Sequence, residues 1–298
     1  MHPDQLPIEA GVVAALVADQ FRRWRGLPIV PVPSAGTVNA LFRIGEEWVA
    51  RFPLQPDDPD AVRARLRREA FAAAELLGRV PFPTPAPIAL GRPGPGYPLP
   101  WAVQTWLAGE PAWDRPLSVA GAADLAALVR ALRGIEVAGR RFAGPGRGGD
   151  LAGHDAWVRH CLDRSAGLFD VPAVAALWAE LRGLPRRASD VMAHSDLTPG
   201  NVLLDAAGRL TGVLDVGGFG PADPALDLMV AWTMLDAGPR QRFRDELDVD
   251  ELDWQRSRGW ALEQAVGLVW YYRESNPAMH RLGVRTLERL LTGTSPER

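Results

Sequence analysis

Lysine is absent from this 298-residue chain, so all 33 of its basic residues are arginine. The absence excludes the P-loop, whose glycines must be followed by a lysine, and any chemistry run through a lysine Schiff base. Cysteine is almost as scarce. The lone Cys161 has no partner for an internal disulfide, and with no clustered His and Asp it reads as buried packing rather than a nucleophile. No apolar run approaches the roughly 20 residues that a membrane span requires. The stretch from Met1 to Gly11 lacks a basic region followed by an apolar core, so a signal peptide is not expected. Excess charge is also missing. A formal net charge of -3, with 23% charged residues, provides no basic field for nucleic acid. The expectation is a cytoplasmic protein with a small-molecule ligand and neither a nucleic-acid nor a membrane partner.

What is present supports a large core. Apolar residues make up 47% of the chain, enough for one large domain or two lobes. Apolar spacing predicts a helix over 8–24, followed by a proline-punctuated extended stretch at 28–33. Leu41 to Ile44 and Trp48 to Phe52 flank the polar turn Gly45-Glu46-Glu47 and read as an antiparallel hairpin. From about Pro59 to Arg79 a helix is expected, with Val62, Leu66, Ala70, Ala73 and Leu77 as its apolar stripe. A buried strand over 101–107 closes an N-terminal lobe spanning 1–107. The remainder, 108–298, is mainly helical apart from 191–220, which is rich in β-branched residues, glycine and aspartate. Gly144, Gly146 and Gly149 match the dinucleotide fingerprint formally, but no strand precedes them and Pro145 breaks the turn, so they read as loop.

One segment carries chemistry. His194-Ser195-Asp196-Leu197-Thr198-Pro199-Gly200-Asn201 fits H-x-D-x-x-x-x-N, the catalytic-loop pattern of kinase-like enzymes. A strand over 201–205, a turn over 206–209 and a returning strand over 210–216 would bring Asn201 and Asp215 together. Phosphoryl transfer depends on positioning and on neutralising triphosphate charge. A carboxylate from Asp215 and an amide oxygen from Asn201 suit Mg2+, which prefers hard oxygen ligands. Asp196 would accept a hydrogen bond from the hydroxyl under attack, while His194 reads as structural. Each of these residues alone would be ordinary turn chemistry; their joint order is what points to function.

HSDLTPGNVLLD followed by GVLDVGGFGPADPALDLMVAW closely resembles the aminoglycoside phosphotransferase family of antibiotic kinases. RGGDLAGHDAWVRHCL, WAVQTWLAGE and LFRIGEEWVARFP resemble family segments in the right order, so the likeness spans most of the chain. It implies an α+β, bilobal protein-kinase-like fold: a small N-terminal lobe with an antiparallel sheet and one key helix, then a larger, mainly helical lobe. By position, Asp196 resembles the catalytic base, Asn201 and Asp215 the magnesium ligands, and Gln104, Thr105 and Trp106 the hinge that binds the base of ATP or GTP. Asp223 and Asp227 resemble residues that support the catalytic loop. Where such enzymes place a lysine on the third strand, this chain has Arg51, and strand alternation aims it into the cleft. Glu69, bordering the apolar stripe of the next helix, is its expected partner. Ser34 and Gly36, with Ala35 and Thr37, would form the loop covering the phosphates.

The resemblance implies a monomeric kinase acting on a hydroxyl of an aminoglycoside, macrolide or related natural product. The alternatives are a metabolic kinase for an amino alcohol or sugar, or a weakly catalytic nucleotide-binding regulator. The acidic run from Asp245 to Asp253 reads as solvated surface, with attraction of a polycationic acceptor as the competing reading.

Overall fold

The computed structural model describes residues 5–292 except Ala35, Thr37 and Asp114. The chain divides into two units, the first comprising residues 1–78, 83–108 and 212–217, the second residues 79–82, 109–211 and 218–298.

The first unit begins with α1 (Ala10–Gln20), where the helix stops because Phe21 is extended; a short 3-10 turn over Arg22–Trp24 follows. Five antiparallel strands then form one sheet: β1 (Ile29–Val32), β2 (Asn39–Ile44), β3 (Trp48–Pro53) and, after α2 (Pro59–Leu76), β4 (Pro87–Gly91) and β5 (Trp101–Thr105). Their order is β1-β2-β3-β5-β4. The hairpin closes with Ile44 opposite Trp48 and places Leu41 opposite Arg51. Alternation along β3 sends Ala50 and Phe52 into a core with Phe42, Ile44, Trp101 and Val103. Phe52 stacks on Trp101 at 4.8 Å and meets Tyr97 edge-on at 5.0 Å, and the Tyr97 hydroxyl donates to the Pro53 carbonyl at 2.6 Å. In α2, Asp58 caps the first turn and Pro59 opens the helix. The expected stripe changes at its end. The helix stops at Leu76, because Leu77 leaves helical geometry at ψ 123°; Leu76 is buried and Leu77 is exposed.

The second unit contains β6 (Glu110–Pro111), α3 (Val119–Arg133), α4 (Asp155–Asp163), α5 (Val171–Leu181), β7 (Val191–Ala193), β8 (Val202–Leu204) and the start of β9 (Leu210–Val213). It continues with β10 (Gly220–Ala222), α6 (Val230–Thr233), α7 (Ala237–Leu247), α8 (Glu251–Tyr271) and α9 (Pro277–Thr292). β7 pairs with β10, while β6, β8 and β9 form a small three-stranded sheet. α8 is buried on most of its circumference, including Trp254 and Trp260. Cys161 is fully buried, and burial pushes its thiol up to about 11, so it packs rather than reacts.

The expected strands around 201–216 are shorter than predicted. Asn201 ends a 3-10 turn ahead of β8, and Asp215 lies beyond β9 with φ 53°, a left-handed backbone that no strand accommodates. Four of the acids in the acidic run have partners nearby in the chain. The Asp245 carboxylate accepts from Gln241, Glu246 pairs with Arg242, Asp250 caps α8 and Glu251 pairs with Arg244.

Replacing Phe52 by Ala should remove the centre of the first unit's aromatic cluster and lower unfolding free energy by about 3–5 kcal/mol. Chemical denaturation reads this directly, and a loss below about 1 kcal/mol would show that the cluster does not hold that unit together.

Candidate active site

In the first unit, Arg51 projects from β3 with its side chain only 13% exposed. One guanidinium nitrogen lies 2.9 Å from the Asp215 carboxylate. The other lies 3.7 Å from Glu69 on α2 and 3.5 Å from the amide oxygen of Gln104 on β5. A planar fork with several donors can serve three partners in a way a point-like ammonium does not. Burial pushes the Glu69 carboxyl up from its ordinary value, a shift that Arg51 opposes and Asp215 reinforces. The chain beyond Asp215 passes tight against this acid, since a Cβ on Gly217 would stand 2.8 Å from the Glu69 Cγ. Behind these groups, α2, β4 and β5 enclose a cavity of about 310 Å³ floored by Leu66, Ala70, Ala73 and Val103.

The sequence-predicted hinge is partly engaged within the same unit. The Trp106 amide donates to the Glu47 carbonyl at 2.7 Å, and the Thr105 amide donates to Ala86 at 3.0 Å. A base meeting this stretch would therefore be read through carbonyls rather than through those two donors. Of the expected phosphate-covering loop, the Ser34 hydroxyl accepts from the Gly36 amide at 2.9 Å, while Ala35 and Thr37 lie outside the described residues.

In the second unit, β7 leads into the H-x-D loop. His194 is fully buried and its amide donates to Asp227 at 2.7 Å; the next amide, of Ser195, donates to the other oxygen of the same carboxylate at 3.0 Å. Ser195 adopts φ 74°, which turns the chain back at that point. The Asp196 amide then donates to the His194 Nδ1 at 3.3 Å, so this ring nitrogen acts as an acceptor. Burial pushes the Asp227 carboxyl upward, against the lowering effects of His194, the two amides and Arg133.

Asp196 itself remains open, with its side chain 44% exposed. Arg147 donates to one carboxylate oxygen at 2.9 Å, and the Asn201 amide nitrogen donates to the other at 3.1 Å and to the Asp196 carbonyl at 2.9 Å. With its nitrogen spent there, Asn201 retains its oxygen as acceptor.

Residues 29–260 match the phosphotransferase enzyme family. The chain belongs to that family. A stretch of 80 residues is 41% identical to an aminoglycoside 3'-phosphotransferase of Streptomyces fradiae, and covers 26% of this chain and 25% of that protein. The chain thus spans about a quarter of the length of that curated relative. Among solved structures, the GDP and kanamycin complex of APH(2")-IIIa has a TM-score of 0.72 at 17% identity, covering 95% of this chain and 99% of that one. A macrolide 2'-phosphotransferase from Brachybacterium faecium has a TM-score of 0.61 at 19% identity, covering 98% and 100%. The α+β kinase-like fold expected of this phosphotransferase is the fold it has.

Several placements add to the sequence reading or change it. Asp227 accepts from the first two amides of the His194–Asn201 loop. Asp223 does not. Its buried carboxylate pairs with Arg256 and accepts from the Trp260 indole at 2.8 Å and from the Ala225 amide at 3.1 Å, so it anchors α8 instead. Arg147 escaped the sequence reading although it lies inside a quoted family segment; the one visible signal was a charged residue set among glycines. Glu263 also escaped it. This acid, buried on α8, holds the His154 Nδ1 at 2.9 Å, and its hydrogen bond raises the His154 pKa against the opposing effects of burial and Arg147.

Two tests follow from these contacts. Asp227→Asn leaves one oxygen and one NH2 where two amide donors converge, so the variant should lose about 1–3 kcal/mol of stability; an unchanged denaturation midpoint would show that the loop is held otherwise. Because the folded pKa of His154 is raised, its pair with Glu263 contributes stability in full below the unfolded value and loses it as pH rises through the folded one. The melting-temperature gap between the native chain and His154→Asn should therefore be wider at pH 5.5 than at pH 9, and a gap independent of pH would contradict the charged pair.

Proposed function

We propose that the chain transfers the γ-phosphate of ATP or GTP to a hydroxyl of an antibiotic, an aminoglycoside, macrolide or related natural product, and so confers resistance. The observation that carries this reading is the accessible Asp196 carboxylate, held by Asn201 within the His194–Asn201 loop of a phosphotransferase-family chain. The relatives named above, which act on aminoglycosides and macrolides, support the acceptor class.

In this reading Asp196 accepts a hydrogen bond from the acceptor hydroxyl and orients its oxygen for in-line attack. The new bond joins that oxygen to the γ-phosphorus, the bond to the β–γ bridging oxygen breaks, and the hydroxyl proton passes to Asp196. Nucleoside diphosphate leaves. Arg51 would exchange its Asp215 contact for the α- and β-phosphates, with Glu69 and Gln104 steadying the guanidinium. Gln104, Thr105 and Trp106 would present carbonyls to the base, and the Ser34–Gly36 segment would lie over the phosphates.

The donor set suits Mg2+. Among the described residues no group of three or more His, Cys, Asp or Glu side chains is placed to hold a metal. An ion bound by one or two protein oxygens, with phosphates and water completing its shell, is the arrangement Mg2+ favours. The Asp215 carboxylate and the amide oxygen of Asn201 are the proposed ligands. When bound, the ion would neutralise charge on the triphosphate.

Diphosphate release by purified protein with Mg2+ and ATP or GTP, across aminoglycosides, macrolides and amino alcohols, tests the proposal. Acceptor-dependent release should appear with an antibiotic. Asp196→Ala should lower turnover at least about 100-fold with nucleotide affinity retained, whereas Asp215→Asn should weaken Mg2+-dependent nucleotide binding itself. Release stimulated only by amino alcohols would reassign the acceptor, and normal turnover in Asp196→Ala would remove the base.

A further inference from the structure

The glycine-rich segment around Arg147, which the sequence analysis set aside as loop, is anchored on both sides of that arginine. On one side the Gly146 backbone bonds to His154, whose ring is held by buried Glu263 at 2.9 Å and packs edge-on against Trp260 at 5.2 Å. On the other, the Gly148 carbonyl accepts the Asp223 amide at 2.8 Å. Asp223 is itself buried and clamped by Arg256 and Trp260. Gly148 has φ 125°, and a Cβ there would stand 2.8 Å from the Phe142 ring, so only glycine allows the chain to run this way. Leu151, just beyond, is buried against Gly259 of α8. Two buried acids of the second unit, Glu263 and Asp223, thus fix the backbone on either side of one arginine.

That arginine delivers its guanidinium to Asp196 at 2.9 Å, with its side chain 21% exposed. A carboxylate on a short side chain rotates easily about its last bond, and Asn201 alone, on one oxygen, leaves that rotation open. With Arg147 on one oxygen and Asn201 on the other, the carboxylate plane is set and the lone pairs left over have a defined direction.

We infer that Arg147 is a positioning residue for phosphoryl transfer: held by the His154–Glu263 pair and Asp223, it fixes the plane of the Asp196 carboxylate that receives the acceptor hydroxyl. The inference rests on the proposed role of Asp196. It assigns Arg147 no contact with nucleotide.

The test compares Arg147→Gln, Arg147→Lys and Arg147→Ala with the native chain, using an antibiotic acceptor that supports turnover. Arg147→Gln should lower kcat about 10- to 100-fold, the scale on which misplacement of a reacting group acts, with the KM for nucleotide within about twofold and the melting temperature nearly unchanged. Arg147→Lys, which keeps the charge but loses the fork, should recover part of the loss. Millimolar guanidinium should restore turnover to Arg147→Ala, a response that a purely structural role would not produce. Unchanged kcat in Arg147→Gln, loss of stability in step with activity, or a raised nucleotide KM at constant kcat would each overturn the inference. Asp196→Asn separates the two readings: if it is inactive while Arg147→Gln is normal, only the role of Arg147 fails, and if it turns over normally the reading of Asp196 fails first.

Discussion

One buried carboxylate shapes the loop that presents Asp196. Asp227 accepts from two consecutive backbone amides, those of His194 and Ser195, at 2.7 and 3.0 Å. Consecutive amides in a regular strand point to opposite sides, so bringing both onto one carboxylate requires the backbone to turn, and Ser195 does so at φ 74°. The turn is what presents Asp196 outward from a loop whose preceding residue is fully buried. Burying a charged carboxylate is costly unless donors surround it. Two amides, with His194 and Arg133 nearby, offset part of that cost and at the same time shape the loop.

In the first unit the absence of lysine reshapes a charge cluster. Arg51 reaches Asp215, Glu69 and Gln104 from a single guanidinium, and its tightest contact is with Asp215 rather than with the helix glutamate. An ammonium concentrates its charge at one point; the fork spreads it across three acceptors. In the proposed reaction Asp215 then has two cationic claimants, Arg51 and the metal, and triphosphate oxygens are the ligand able to draw Arg51 away. Lysine's absence therefore limits chemistry in one direction and alters the resting electrostatics of the site in another.

Much of the fold was legible because it follows from local periodicity. The β2–β3 hairpin is written in two apolar runs around Gly45-Glu46-Glu47, and α2 in the spacing of Val62, Leu66 and Ala73. Errors fell where local pattern competes with backbone geometry. Leu77 continues the apolar spacing of α2 but lies past the point where the chain leaves helical geometry, and Asp215 follows a strand-like run but takes a left-handed backbone. Periodicity records side-chain chemistry and carries no record of where the backbone dihedrals leave a regular element.

Asp196, Asn201 and Asp215 could be named as candidates from the sequence because they fall in a recognisable order within residues 196–215. Arg51 could be named from strand alternation. The partners of these groups were another matter. Arg147 meets Asp196 across 49 residues and Glu263 meets His154 across 109, while Asp223 turned out to serve Arg256 and Trp260 on α8 rather than the loop it was expected to support. By itself the sequence determined the H-x-D-x-x-x-x-N motif and the chemistry excluded by a lysine-free chain, because these follow from composition and short-range spacing, and its resemblance to a family carried the fold class. Only the tertiary structure decided that Arg51 sits closest to Asp215 rather than to its expected partner Glu69, and that Arg147 meets Asp196 and Glu263 meets His154, because such pairing depends on distances between segments remote in the chain.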